Sequence, residues 1–286
     1  MKKIYIYIPN KGGSAIMKTN IFKLLDIKNV QIINKLIIDK NSIYYILKHI
    51  TPDIIEPLRK LKELNNYLIY EPLDSEWKEA DLSKYLDKMK NKFIYFNHII
   101  CNNFKIMEQY KTICPSLEYT VIYHEYDMRF NDSKIKPYNK VYYVGSLKKT
   151  SLDDDICKEY NINIINSDGY NKFIKNNYTG IHIDYIKNNT TYYYLHTSTK
   201  LATSMCFNSI FICNRVPVYV ELLGADYEYY INDDLSNLQE IIDNAKDCIS
   251  NNEKYNLYIE KIKIIRKKLW YKYVVKDYEN LFAKII

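Results

Sequence analysis

Short apolar runs rich in Ile and Tyr alternate along the chain with stretches in which apolar residues return every three or four positions. The first pattern predicts buried strands and the second amphipathic helices. KIYIYI (3–8) predicts the first strand and VQIINKLII (30–38) another. DIIEPLRKLKEL (53–64) has the helical period, and NYLIYEPLD (66–74) then reads as a strand ending in a carboxylate-bearing turn. LSKYLDKMK predicts a helix, KFIYFNHIICNN a strand and turn, FKIMEQYKTI a helix, and EYTVIYHEYDMRF a strand running into a polar loop.

A second cycle begins near Pro137. KVYYVGSL (140–147) predicts a strand ending in Gly-Ser, and LDDDICKEYN a helix with acids in its first turn, where they complement the helix dipole. INIINSDG and YTGIHIDYIK predict two more strands. A helix over 199–207 leads to the strand IFIC (210–213), and a Pro-containing turn then leads to Glu221. LSNLQEIIDNAKDCISN and 253–286 predict two closing helices. In the second of these Tyr258, Ile262, Ile265 and Leu269 form an amphipathic stripe. Strands such as 141–144 and 210–213 are apolar on both faces, as parallel sheets require. The fold class is therefore α/β. Two successive sets of strand–helix units, with a break near 132–140, predict two Rossmann-like domains, 1–136 and 137–286. Ligand is expected in a cleft between them, where strand C-termini point.

Composition narrows the function. At 286 residues the length suits two domains or one large α/β domain. No segment approaches ~20 uninterrupted apolar residues, so no membrane span is expected. The N-terminal MKKIYIYIPN alternates Ile with Tyr and lacks a small-residue cleavage site, so it reads as a strand and not a signal peptide. Six scattered cysteines with no Cys-x-x-Cys pair, and five dispersed histidines, argue against zinc or a disulfide framework. They suit a reducing, cytoplasmic compartment. The balance of 41 basic to 34 acidic residues, net +7, suits an anionic ligand such as a nucleotide phosphate. It is compatible with peripheral contact at an acidic membrane surface. It is too diffuse for nucleic acid, and the basic KIKIIRKKLWYKY lies on a helical pattern as one solvated face.

The densest chemistry lies in HTSTKLATSMCFNSIFICNRVPVYVELL (196–223). Thr197, Ser198 and Thr199 are preferred N-cap types, and Asn208 tolerates the left-handed conformation that ends a helix. A helix N-terminus with flanking hydroxyls and Lys200 makes an anion site. Elsewhere, Gly12-Gly13 in PNKGGSA lets backbone approach a ligand closely, although neither Gly-x-Gly-x-x-Gly nor a Walker A pattern is present. YHEYDMRF (123–130) places His124 and Asp127 at a strand end. His124 has the pKa range of a general base, and Asp127 can orient it or serve instead. Asp74 in EPLD is another candidate base. The Asp-x-Asp within Asp153–Asp155 opens a helix and does not end a strand, so no metal ligand is assigned.

The stretch TKLATSMCFNSIFICNRVPVYVEL resembles the donor-site segment of GT-B glycosyltransferases, with Lys200, Leu201, Ile212, Pro217, Tyr219, Glu221 and Leu222 in register. Asn208 stands where the family has Gly, Ile210 where its strand has Pro, and His196-Thr197 where Lys-Pro is usual. YLIYEPLDSEW is similar to the family's N-domain strand with a paired-acid turn, and YVGSLKK (143–149) looks like the first strand of its C-terminal domain. The resemblance implies a GT-B fold whose C-terminal helix can cross back to the N-terminal domain. It implies a metal-independent hexosyltransferase without cofactor, moving a sugar from a nucleotide-diphosphate sugar to the hydroxyl of a glycan, glycoprotein or other acceptor. Gly145, Ser146, Lys148, Thr197, Ser198, Thr199, Lys200 and Glu221 would bind the donor, and the Gly12-Gly13 loop would line the acceptor side. Alternative expectations are a non-catalytic nucleotide- or sugar-binding module, or a nucleotide-sugar epimerase of the same fold.

Overall fold

Period-two alternation divides the strand side chains of the first half of the chain between the two faces of one parallel sheet. The structure, a computed structural model, describes residues 2–9, 13–73, 81–128, 138–147, 150–165, 180–188 and 190–286. The chain forms two units. The first comprises Met1–Tyr123, Tyr194–Thr197 and Tyr271–Ile286, and the second His124–Tyr193 and Ser198–Trp270.

In the first unit β1 (Ile4–Tyr7), β2 (Val30–Ile33), β3 (Ile43–Leu47), β4 (Tyr67–Glu71), β5 (His98–Cys101) and β6 (Glu118–Val121) pair in the order β2-β1-β3-β4-β5-β6. Every pairing is parallel. Tyr5, Tyr7, Tyr44, Ile46, Leu68 and Tyr70 face one core. Helices α1 (Gly13–Lys23), α2 (Pro52–Glu63), α3 (Leu82–Phe93) and α4 (Phe104–Ile113) follow their strands in turn. Leu58 and Leu61 of α2, Met89 and Phe93 of α3 and Ile106 of α4 close that core. Ile4, Ile6, Ile43, Tyr45 and Ile69 point to the other face. There Ile21 and Phe22 of α1 meet Val274, Tyr278, Leu281 and Phe282 of the C-terminal helix. Strand β3 was not expected from patterning. IYYIL is apolar at every position, so periodicity alone separates it neither from a buried helix nor from a strand. It occupies the middle of the sheet, with all five residues at most 2% exposed. Strand β2, at the sheet's edge, ends at Ile33, earlier than the expected 38.

In the second unit β7 (Val141–Val144), β8 (Ile162–Ile165), β9 (Ile181–Asp184) and β10 (Ile210–Cys213) form a sheet in the order β10-β9-β7-β8. It too is parallel throughout. Helix α5 (Asp154–Glu159) is capped by Asp153, whose carboxylate accepts from the Ile156 N–H at 2.8 Å. A short helix α6 (Thr191–Leu195), unmarked by any period, precedes α7 (Thr199–Cys206). The segment expected to turn at Pro217 is instead helix α8 (Pro217–Leu223), with Pro217 in its first turn, where a missing N–H costs nothing. Helix α9 (Leu238–Ser250) follows as expected.

The single helix expected over 253–286 is two, α10 (Asn252–Leu269) and α11 (Tyr271–Ile285), separated by Trp270 in extended conformation. The apolar stripe explains the break. Tyr258, Ile262, Ile265 and Leu269 are spaced by three and four, but the next buried residue is Val274. A five-residue step lands about 140° off the stripe on one continuous helix. The two helices belong to different units. No described helix is long and apolar enough to cross a membrane. All six cysteines are free thiols, five of them buried.

Candidate donor site

From β7 the chain passes to β8 on one side and then to β9 and β10 on the other, so the carboxyl ends of β7 and β9 flank the switch point of the second sheet. In open α/β sheets this is where ligands bind. Strand β7 leads into Gly145, whose φ of +140° few residues with a side chain adopt. Its N–H donates to the Ile165 carbonyl at 2.9 Å. Strand β9 ends in Asp184, which is fully buried.

Lys200, in the first turn of α7, meets both ends. Its Nζ lies 2.6 Å from Asp184 Oδ1, donates to the Tyr143 hydroxyl at 2.8 Å, and stands 4.3 Å from the centre of the Tyr143 ring. The Tyr143 hydroxyl donates onward to the Ser146 carbonyl at 2.9 Å. Tyr219 of α8 donates to the second carboxylate oxygen of Asp184 at 2.7 Å. A buried carboxylate is sustainable only with such partners. Burial works against the Lys200 charge, but Asp184 and Tyr143 together outweigh it and hold its pKa above the ordinary 10.5. Burial pushes the Tyr143 phenol up. Burial, reinforced by Asp184, raises that of Tyr219 further, so it remains a neutral donor.

Helix α7 is fixed at both termini. Ser198 is the N-cap residue, yet its hydroxyl makes no cap bond. It donates instead to the His124 carbonyl at 2.6 Å. The Ser198 side chain therefore does not offset the partial positive charge at the amino end of α7, where Lys200 lies in the first turn. At the other end Asn208 takes φ +52°, the left-handed conformation expected of it. Its amide oxygen accepts from Arg266 at 2.9 Å, and its carbonyl accepts from the Tyr255 hydroxyl at 2.7 Å.

Gly145, Ser146 and Lys200 thus meet around Tyr143, while Ser198 is tied to His124 and Thr199 opens α7. Thr197 belongs to the first unit and immediately precedes this segment. Glu221 is partly exposed on α8, two residues beyond Tyr219. Two helical residues lie about 200° apart, so it faces away from the side on which Tyr219 meets Asp184. His124 and Asp127 belong to the second unit and are 2% and 1% exposed, in irregular chain after β6. A carboxylate beside His124 is that of Glu125, with Oε2 3.7 Å from Nδ1, and the Glu125 carbonyl is 3.3 Å from the same nitrogen. Gly13 opens α1 after β1, at the switch point of the first sheet. Gly12, Asp74 and Lys148 lie outside the described residues. Sequence reasoning missed Tyr143, Asp184 and Tyr219 as members of the cluster. The available signal was IHID, a buried run closed by a carboxylate.

No protein-family model and no curated protein matches the sequence. Solved structures do match, across nearly the whole chain. HepE from Anabaena, in complex with UDP and glucose, superposes with a TM-score of 0.65 at 10% identity, covering 99% of each chain. The fold is of the GT-B type. A glycosyltransferase from Rickettsia africae gives a TM-score of 0.65 at 9% identity over 99% of this chain and 98% of that one. Sucrose-phosphate synthase from Thermosynechococcus elongatus gives 0.61 at 10% identity over 100% and 99%. At such identities the likeness is one of backbone.

Proposed function

We propose that this GT-B protein is a glycosyltransferase that moves a sugar from a nucleotide-diphosphate sugar to an acceptor hydroxyl without a metal ion. The observation that carries the reading is the meeting of Lys200, Gly145 and the amino end of α7 at the switch point of the second sheet. Transfer expels a nucleoside diphosphate, and the charge growing on its bridging oxygen must be met by fixed donors. Lys200 and the α7 terminus supply a cation and aligned dipoles. Gly145, lacking a side chain, lets a phosphate come close to the backbone. HepE is described with UDP-glucose, which makes a uridine donor the first to test.

The acceptor hydroxyl must lose a proton. His124 is the proposed base, because Ser198 joins its backbone directly to the start of α7 and Glu125 stands beside its ring. Asp127 is held as the alternative on the same segment. Titration with UDP and UDP-sugars tests the reading: Lys200→Ala should weaken UDP binding by about tenfold or more, the size of a lost hydrogen bond to a charged group. His124→Ala should leave UDP binding intact and lower turnover by roughly 10²–10⁴. Turnover that persists in EDTA supports the metal-free route. Wild-type protein that binds neither UDP nor any other nucleoside diphosphate refutes the proposal, and binding without turnover identifies a non-catalytic module.

A further inference from the structure

Asp184 is an unexpected residue at a site meant for a diphosphate, because a carboxylate there repels the ligand. Its surroundings give it another task. It is fully buried, one oxygen receives the Tyr219 hydroxyl at 2.7 Å, and the other meets Lys200 Nζ at 2.6 Å. Tyr143 accepts a second bond from the same ammonium at 2.8 Å and is itself anchored on the Ser146 carbonyl. An ammonium has three N–H donors. Two are directed into the protein, and the side chain retains 17% exposure. We infer that Asp184 and Tyr143 are positioning residues, which hold Lys200 extended past Gly145 with one N–H directed outward for the diphosphate. The inference rests on the donor-binding reading above and adds to it the device that orders the cation.

The physical advantage is preorganisation. A lysine loses much rotamer freedom when fixed, and here it is fixed before ligand arrives. The same carboxylate keeps a largely buried amine protonated, against a desolvation that otherwise favours the neutral form. Tyr219, which donates to the far oxygen, keeps the carboxylate plane turned toward Lys200.

A double-mutant cycle with a pH series tests this, using UDP as probe and inorganic pyrophosphate as the base-free control. Asp184→Asn preserves shape and weakens UDP and pyrophosphate binding by about tenfold at pH 7 in wild type. In the Lys200→Ala background it changes neither, because there is no ammonium left to position. The pH series uses UDP alone and reads each variant as a ratio to wild type at the same pH, so that ionisation of the ligand, common to both, cancels. The ratio of Asp184→Asn to wild-type affinity therefore falls as pH rises above about 7, because the less supported Lys200 of the variant deprotonates first. Tyr143→Phe, which keeps ring and fold, shows a smaller loss that also vanishes in the Lys200→Ala background. It carries the test if Asp184→Asn does not fold. Tighter binding by Asp184→Asn, or equal losses in both backgrounds, overturns the inference while leaving the donor site standing. Wild-type protein that binds neither probe removes both.

Discussion

Gly145 shows how one backbone angle constrains the site. A Cβ there would find room, with Tyr143 OH at 3.4 Å and Lys200 Cε at 3.6 Å, so the obstacle to substitution is the φ of +140°. Gly145→Ala is expected to cost about 1–3 kcal/mol and to weaken UDP binding, read by thermal melts and titration. His98 offers a second test at this scale. Burial lowers its pKa below the ordinary 6.5, overriding the opposite pull of Glu118. The unfolded chain then binds the proton more readily, so stability is lost as pH falls below about 6.5 toward the folded value. His98→Gln should flatten that loss in urea melts compared at pH 7 and pH 5. Lys200 and Gly145 were legible as single letters, because a cation beside N-cap residues and a glycine at a strand end carry local meaning. Asp184 was not, since its partners stand 16 and 35 residues away.

At the scale of elements, close approach decides where strands begin. Gly180 opens β9, and a Cβ there would lie 2.6 Å from the Lys140 carbonyl and 2.7 Å from the Tyr142 ring. The backbone carbonyl cannot step aside as a flexible side chain can, so Gly180→Ala must part β7 from β9. A loss of about 1–3 kcal/mol is expected, with weaker UDP binding, because both strands end at the candidate site. Strand β10 matched its expected bounds and helix α7 did so within one residue, because the left-handed Asn208 and the apolar run that follows it agree. Helix α8 did not, since Pro marks a first helical turn as readily as a loop, and only burial of Val218, Tyr219 and Leu222 decides between them.

At the scale of the whole molecule, the last helix completes the first unit from the far end of the chain. Val274, Tyr278, Leu281 and Phe282 are all at most 4% exposed against one face of its sheet. Tyr278 also donates to Glu71 at 2.6 Å and accepts from Lys18 at 2.7 Å, within a buried cluster where Lys18 and Glu71 lie 3.3 Å apart. Removing residues 271–286 would uncover that ion pair and the sheet face against which these four side chains pack, each of them worth ~1.5–3 kcal/mol of burial. The sum rivals the ~5–15 kcal/mol by which whole domains are stable. The truncated protein should therefore lose cooperative melting and become protease-sensitive in residues 2–123. Restoring the helix as a separate peptide should recover part of both.

The sequence by itself determined the α/β class, most of the strands and helices, and a cation at a helix N-terminus. These depend on neighbours within a few positions, which period and caps report. Only the tertiary structure decided that β3 is a central strand, that the final helix divides at Trp270, and that Lys200 is held by Asp184, Tyr143 and, through Asp184, Tyr219. Those outcomes turn on which distant segments share a sheet or a buried charge, and no local period records such pairings.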